Sequence, residues 1–219
     1  MYIRNLRDEA SGEVSYLLAD MRRREAVLID PRAPDSALMR ALLSEHQLTL
    51  RWILRTHHHD SRKVGEWNAL LAWGAPIVQG DPRDGAYAPR DGERFHFGTE
   101  WVVALHTPGH TAHCLSFQWR DRLYCGGLVD VAQCPYQPFA LQPEQLWDSR
   151  RALLNHPPET LLFSGHAQDV ASVTSLSDQR RLNPYFGNAS RDEFLLNVAA
   201  LPERCHPDAS HAFTPTLSS

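Results

Sequence analysis

Positions 55–62 read RTHHHDSR, with three consecutive histidines directly after the apolar run WIL at 52–54. A short apolar run followed by polar residues predicts a buried strand and a loop at its end. In extended backbone, side chains two residues apart share a face, so His57 and His59 point the same way and His58 points elsewhere. Two imidazoles on one face are half of a metal site. A polar loop with three exposed histidines is the alternative.

Two further histidines also follow predicted strands. LHTPGHT at 105–111 places a sharp Pro-Gly turn directly before His110, and SGH at 164–166 follows the apolar run TLLF. Loops at strand ends gather at one edge of a layered sheet, where ligand sites usually lie. The three segments together predict a metal site, or a site derived from one.

The composition is that of a globular chain. Its 219 residues are 42% hydrophobic and 22% charged, which is too apolar for disorder. The formal net charge of −4 does not indicate a nucleic-acid partner, and no apolar run approaches the ~20 residues of a membrane helix. The N-terminus MYIRNLRDEA lacks the apolar core of a secretory signal, and the four cysteines form no C-x-x-C pair. We therefore expect a cytoplasmic protein that binds neither membrane nor nucleic acid.

Short apolar runs alternate with helical patterns, which is typical of an α/β layered domain. Eight runs are predicted strands: 16–18, 26–29, 52–54, 77–79, 101–105, 115–119, 123–125 and 160–163. Four segments are predicted helices: one after Asp35 or Ser36 with Leu38, Leu42 and Leu43 on one face, 64–73, 143–154, and one capped by Ser190 and Glu193. MRRR at 21–24 indicates an exposed hairpin turn. We expect one domain over residues 1–201 and a loosely ordered tail at 202–219.

Several motifs stand in the order known from one family. VLIDP at 27–31, DGERFHFG at 91–98 and TPGHT at 107–111 surround the triple histidine; SYLLAD at 15–20, Cys134 and RRLNP at 180–184 add to them. With these motifs the sequence resembles the metallo-β-lactamase superfamily and, within it, the persulfide dioxygenases, which are relatives of glyoxalase II. The resemblance implies an α/β fold: an αββα sandwich of two mixed β-sheets flanked by helices, with metal between the sheets. It also implies a small-molecule thiol or persulfide as ligand, and a homodimer.

The metal motif departs from the family pattern T-H-x-H-x-D-H. Ser61 and Arg62 stand where that pattern has Asp and His, so the pair that would bind a second metal is lost. The family's single iron is held by the first His of this motif, the His of TPGHT and an Asp after a later strand. By the resemblance, these positions map to His57, His110 and Gly127. Glycine offers no carboxylate.

Other side chains are candidates for the missing ligand. His59 would complete a three-histidine set with the two family histidines, and such a set suits Fe(II) or Zn(II). Asp130 follows the missing position by three residues. His113 is either a further ligand, a group beside one, or an exposed loop residue.

The pocket residues that the resemblance implies are largely replaced. Tyr136 stands at the position of a family Arg, and Ala167 and Gln168 stand at those of an Asp and a Tyr. The late family histidine is kept as His166. Cys134 keeps the family cysteine, which is either an acceptor of sulfane sulfur or a buried core thiol.

Three functions remain open. The first is an iron enzyme that uses one Fe(II) to oxidise a glutathione-type persulfide with O2. The second is a non-catalytic protein, without a required metal, that acts in sulfur binding, sensing or partner regulation. The third is a thioester hydrolase in which Zn(II) lowers the pKa of bound water to about 7. The sequence leaves open whether the chain is an enzyme.

Overall fold

Two β-sheets packed face to face, with helices on both outer faces, make up the structure, which is a computed structural model. It describes residues 2–58, 64–82, 85–129, 134, 141–167, 172–183, 185, 187 and 190–201, with the backbone alone at 64–66. The expected αββα sandwich is confirmed. The expected tail at 202–219 lies outside the described residues, and the expected single domain over 1–201 stays a prediction.

Both sheets are mixed. The first has the order β1-β2-β3-β4-β5, with β3, β4 and β5 parallel: β1 Tyr2–Arg7, β2 Val14–Asp20, β3 Glu25–Ile29, β4 Thr49–Leu54 and β5 Ile77–Val78. The second has the order β11-β10-β9-β8-β7-β6, with β9 and β10 parallel: β6 Arg94–Phe97, β7 Glu100–His106, β8 Leu115–Trp119, β9 Arg122–Gly126, β10 Leu161–Ser164 and β11 Val173–Ser175.

Helices cover the outer face of each sheet. They are α1 Ser36–Glu45, α2 Val64–Leu71, α3 Pro143–Leu153, α4 Leu176–Leu182 and α5 Arg191–Ala199. β2 is buried along its whole length because Tyr16 and Leu18 belong to the core between the sheets, whereas Leu17 packs in a second core that includes Met39 of α1. A third core, between the second sheet and α3 and α5, covers the opposite face. Four layers therefore bury these three cores, and a smaller fourth cluster joins Ile53 and Ile77 of the first sheet to Leu70 of α2.

Most of the predicted elements are confirmed, including the turn at 21–24 and the Ser190–Glu193 capping box. The sequence missed β1, β6, β11 and α4. One predicted helix face was wrong: Leu38 is 50% exposed, because α1 turns Met39 and Leu43 toward the sheet. Asp35 precedes α1 without capping it, since its carboxylate bonds Arg32 instead.

Two hairpin turns tie the sheets together at one end of the sandwich. Asp20, the last residue of β2, accepts hydrogen bonds from the amide and hydroxyl of Thr99, both at 2.8 Å, in the turn between β6 and β7. It also accepts the amides of Arg22 and Arg23 at 3.0 and 3.2 Å. The Thr99 amide is the largest cause that lowers the pKa of Asp20 from 3.8 to about 2.

We predict that Asp20→Asn removes part of the acid dependence of folding. Because the pKa of Asp20 is lower in the folded protein than its ordinary value of 3.8, the carboxylate stabilises the fold above that pH. This contribution is lost as the pH falls from about 4 to about 2. Urea unfolding should therefore find the variant less stable at neutral pH, with the difference shrinking below pH 4. Glu9→Gln, in an exposed turn, is the control. A difference that stays constant with pH would contradict the assignment.

Candidate functional site

The ends of several strands from both sheets meet at one edge of the sandwich. Backbone hydrogen bonds join their loops: the Leu115 amide donates to the Thr56 carbonyl at 2.7 Å, and the Gly165 amide donates to the Gly126 carbonyl at 3.0 Å. The Tyr16 hydroxyl of the first sheet donates to the Ser164 carbonyl of the second. The loops that carry the predicted histidines are therefore held by both sheets.

Three of these histidines lie in contact, and we call His57, His110 and His166 the histidine cluster. The ring centroids of His57 and His110 are 4.9 Å apart, and the rings meet edge to face at 82°. His166 lies 5.1 Å from His57 and 6.2 Å from His110. His110 and His166 are buried, whereas His57 is half-buried. The cluster thus reaches the surface through His57.

The half-buried carboxylate of Asp30 fixes the base of the cluster. Asp30 has a φ of 47° and accepts hydrogen bonds from the amide of Thr56 at 2.8 Å and from its hydroxyl at 2.6 Å. The same hydroxyl lies 2.8 Å from Nδ1 of His57. Burial raises the pKa of Asp30, and the bonds from Thr56 oppose that rise. Asp30 and Thr56 therefore orient the His57 ring through one continuous network.

A cysteine contacts the second ring. Sγ of Cys114 lies 3.6 Å from Nδ1 of His110, and it accepts the Thr111 amide at 3.2 Å. Burial raises the pKa of the Cys114 thiol to about 12, so the thiol stays protonated at neutral pH. The Cys114 side chain is buried, and it supports a histidine of the cluster.

At Gly127, the position of the family's third ligand, there is neither a carboxylate nor room for one. A Cβ on Gly127 would lie 2.4 Å from Nδ1 of His110 and 2.5 Å from Cε1 of the same ring. Such contacts are far inside van der Waals distance, so the His110 ring occupies the space that a side chain at 127 needs. Within the described part of the chain, no three His, Cys, Asp or Glu side chains are grouped so as to hold a metal ion. The described residues do not fit the family's iron site.

The other predicted site residues are placed as follows. His113 is exposed, and Cys134 is fully buried. Five predicted positions lie outside the described residues: His59, Ser61, Arg62, Asp130 and Tyr136. The predicted ligand set of His57, His59 and His110 therefore stays a prediction.

The sequence did not predict that a cation, Arg55, is buried directly after β4. Arg55 is 7% exposed, and its guanidinium donates to Oε1 of Gln79 at 3.3 Å and lies 5.9 Å from the Trp67 ring. Its charge also attracts the Asp30 carboxylate. Asp30 could have been predicted as a site residue from the sequence, because it belongs to the VLIDP motif. Nothing in the sequence indicated that Arg55 is buried.

The fold has a close counterpart among solved structures. ETHE1 from Myxococcus xanthus superposes with a TM-score of 0.82 at 30% identity, over 93% of this chain and 93% of that one. This chain therefore belongs to the metallo-β-lactamase superfamily, in the branch that contains ETHE1 and the hydroxyacylglutathione hydrolases. No protein-family model matches the chain.

Curated relatives belong to the same branch. The human hydroxyacylglutathione hydrolase-like protein is 32% identical over 168 residues, which cover 72% of this chain and 57% of the relative. The chain spans about three fifths of the length of such relatives. TTHA1623, solved in a di-iron-bound form, shares the fold: its TM-score is 0.65 at 24% identity, over 83% of this chain and 99% of that one. None of the described helices is long and apolar enough to cross a membrane.

Proposed function

We propose that this protein binds a glutathione-type thiol or persulfide at the histidine cluster, and that it does not perform the iron-dependent oxidation which the family resemblance implies. One observation carries the proposal: the His110 ring fills the space above Gly127. In this view the chain is a non-catalytic member of its branch that acts in sulfur binding or sensing.

The packing at Gly127 argues against the family's iron chemistry. A 2-His-1-carboxylate iron site needs one negative ligand, which neutralises part of the metal charge. An Asp at 127 would meet the His110 ring at its own Cβ, before its carboxylate could reach a metal. Replacing the carboxylate by a third histidine would leave the site one unit more positive, which disfavours oxidised iron.

The chemistry of the cluster supports a thiol ligand. Imidazole rings supply both hydrogen-bond donors and acceptors, and the half-buried His57 gives access from solvent. The curated relatives are named as hydrolases of hydroxyacylglutathione, a glutathione derivative. For this chain we propose a ligand that contains glutathione, without the hydrolysis.

The iron dioxygenase and the zinc hydrolase stay alternatives. Each needs a further ligand from His59 or Asp130, which lie outside the described residues. No observation on the described residues favours either activity, and the experiments proposed for this protein would detect both.

We predict that His110→Ala weakens glutathione binding about tenfold. Leaving a buried hydrogen-bonding group without its partner costs about 1–3 kcal/mol, and 1.4 kcal/mol is tenfold in Kd. Calorimetric titration of glutathione and of glutathione persulfide into wild type and variant measures this. His96→Ala is the matched control, because His96 is an exposed histidine on β6, away from the cluster. Equal affinity in wild type and His110→Ala would contradict the proposed site.

Oxygen uptake separates binding from catalysis. With glutathione persulfide and added Fe(II), we expect uptake at the rate of the protein-free mixture. Faster uptake that needs both protein and Fe(II) would overturn the proposal in favour of the dioxygenase. Zinc-dependent thioester cleavage without oxygen would overturn it in favour of the hydrolase.

A further inference from the structure

Two adjoining hollows lie at the end of the sandwich opposite the histidine cluster. β7 starts beside Thr99 and rises about 3.4 Å per residue over its seven residues, so its two ends lie roughly 20 Å apart. The first hollow, of about 440 Å³, is lined by Arg22, Arg23 and Thr99, and the second, of about 490 Å³, shares Thr99 with it. We call the two together the basic hollow. Small-molecule sites commonly have about 300–1,000 Å³.

The basic hollow carries positive charge that is not neutralised. Arg22, Arg23 and Arg94 are exposed, and within the described part of the chain none of the three forms an ion pair. Two carboxylates lie nearby, but Asp20 is buried and accepts four hydrogen bonds, and Glu100 already lies in an ion pair. Such an excess, in a chain whose formal net charge is −4, favours an anionic ligand.

A flat and partly apolar surface lines the second hollow. Trp101 is 43% exposed, and Val103 lies two residues further along β7, on the same outer face of the sheet. Gln118, which pairs with Val103 across β7 and β8, adds a side-chain amide to this surface. The guanidinium of Arg94 lies 5.4 Å from the centre of the Trp101 ring. An exposed indole of this kind offers a stacking surface for another planar ring.

The turns that carry these side chains are fixed against each other. Gly98 has a φ of +64°, and a Cβ there would lie 2.4 Å from Oδ2 of Asp20 and 2.8 Å from Cβ of Arg23. The Thr99 amide and hydroxyl both donate to the same Asp20 carboxylate. The backbone of the basic hollow is therefore in place before a ligand arrives, which lowers the entropy cost of binding.

We propose that the basic hollow binds a nucleoside phosphate, with its base stacked on Trp101 and its phosphates paired with Arg22 and Arg23. Guanidinium groups form bidentate hydrogen bonds with phosphate oxygens, and a phosphate chain carries several negative charges on few atoms. An acidic peptide would pair with the arginines, but its carboxylates would make no use of the indole. This ligand is independent of the proposed function, because the histidine cluster lies at the other end of β7.

Calorimetric titration with ADP and with pyrophosphate tests both halves of the hollow. We expect ADP to bind with a Kd below about 1 mM. Trp101→Ala should weaken ADP binding about tenfold and leave pyrophosphate binding unchanged, because only the base uses the ring. The double variant Arg22→Gln/Arg23→Gln should weaken both ligands about tenfold. Arg4→Gln, at an exposed arginine on β1, is the control. Circular dichroism checks that the variants fold.

Two results would overturn the proposal: no ADP binding by the wild type, or an ADP affinity that is unchanged in the folded variants. A poly-glutamate peptide that binds more tightly than ADP and is insensitive to Trp101→Ala would replace the nucleoside phosphate by an acidic protein partner. Glutathione affinity should stay at the wild-type value in both variants, and a parallel loss would contradict the separation of the two sites. If glutathione does not bind at all, the proposed function fails, and ADP binding still decides this inference.

Discussion

Gly109→Ala is expected to cause the largest loss of stability among single substitutions at the site. Gly109 has a φ of +133°, and an added Cβ would lie 2.3 Å from both N and Cα of Leu146 in α3. The strain of that backbone costs about 1–3 kcal/mol and the overpacking about 1–3 kcal/mol more. We therefore expect urea unfolding to report a loss of about 3 kcal/mol or more. Glutathione binding should fall as well, because His110 is the next residue.

A second glycine separates the two causes of this loss. Gly74 also has a positive φ, of +71°, but a Cβ there meets nothing within 4 Å. Gly74→Ala should therefore cost only the backbone strain, about 1–2 kcal/mol. If Gly109→Ala is no more destabilising than this control, the close approach of Gly109 to Leu146 in α3 is wrong.

Gly127→Ala carries the second large effect, because it places a methyl group against the His110 ring. The contact of 2.4 Å forces the ring to move, and overpacking of this kind costs about 1–3 kcal/mol. For a chain of this size each kcal/mol lowers the Tm by about 2–4 °C. Calorimetry of the folded variant measures the shift. A displaced His110 should also weaken glutathione binding.

A double-mutant cycle with His110→Ala identifies the ring as the cause. Once the imidazole is gone, the methyl group at 127 has space, so Gly127→Ala should cost less than about 0.5 kcal/mol in that background. Equal costs in both backgrounds would mean that the backbone at 127, rather than the ring of His110, resists the substitution.

The sequence predicts strands best where buried runs are long. β2, β8 and β9 lie in such runs and were predicted, whereas β1 is only partly buried and β11 has three residues. β6 does alternate, with Phe95 and Phe97 buried between Arg94 and His96, but four residues are a weak signal. Edge strands are therefore missed because their burial depends on a neighbour that the sequence does not specify.

The positions of the cluster residues could be predicted, but their contacts could not. His57, His110 and His166 each follow a strand, and strand ends gather at one edge of a sheet. The stacking of His110 on Gly127 and its contact with Cys114 depend on how two loops approach each other in space. The same holds for Arg55, whose burial comes from the packing of neighbouring elements. These contacts decide what the site can bind.

Metal content tests the central claim most directly. The protein is purified anaerobically, and iron and zinc per chain are measured in wild type, His57→Ala and His110→Ala. We predict metal far below one atom per chain, with no difference among the three proteins, because the carboxylate position is a glycine covered by His110. Close to one iron per chain in the wild type, lost in both variants, would contradict this account and establish a working iron site.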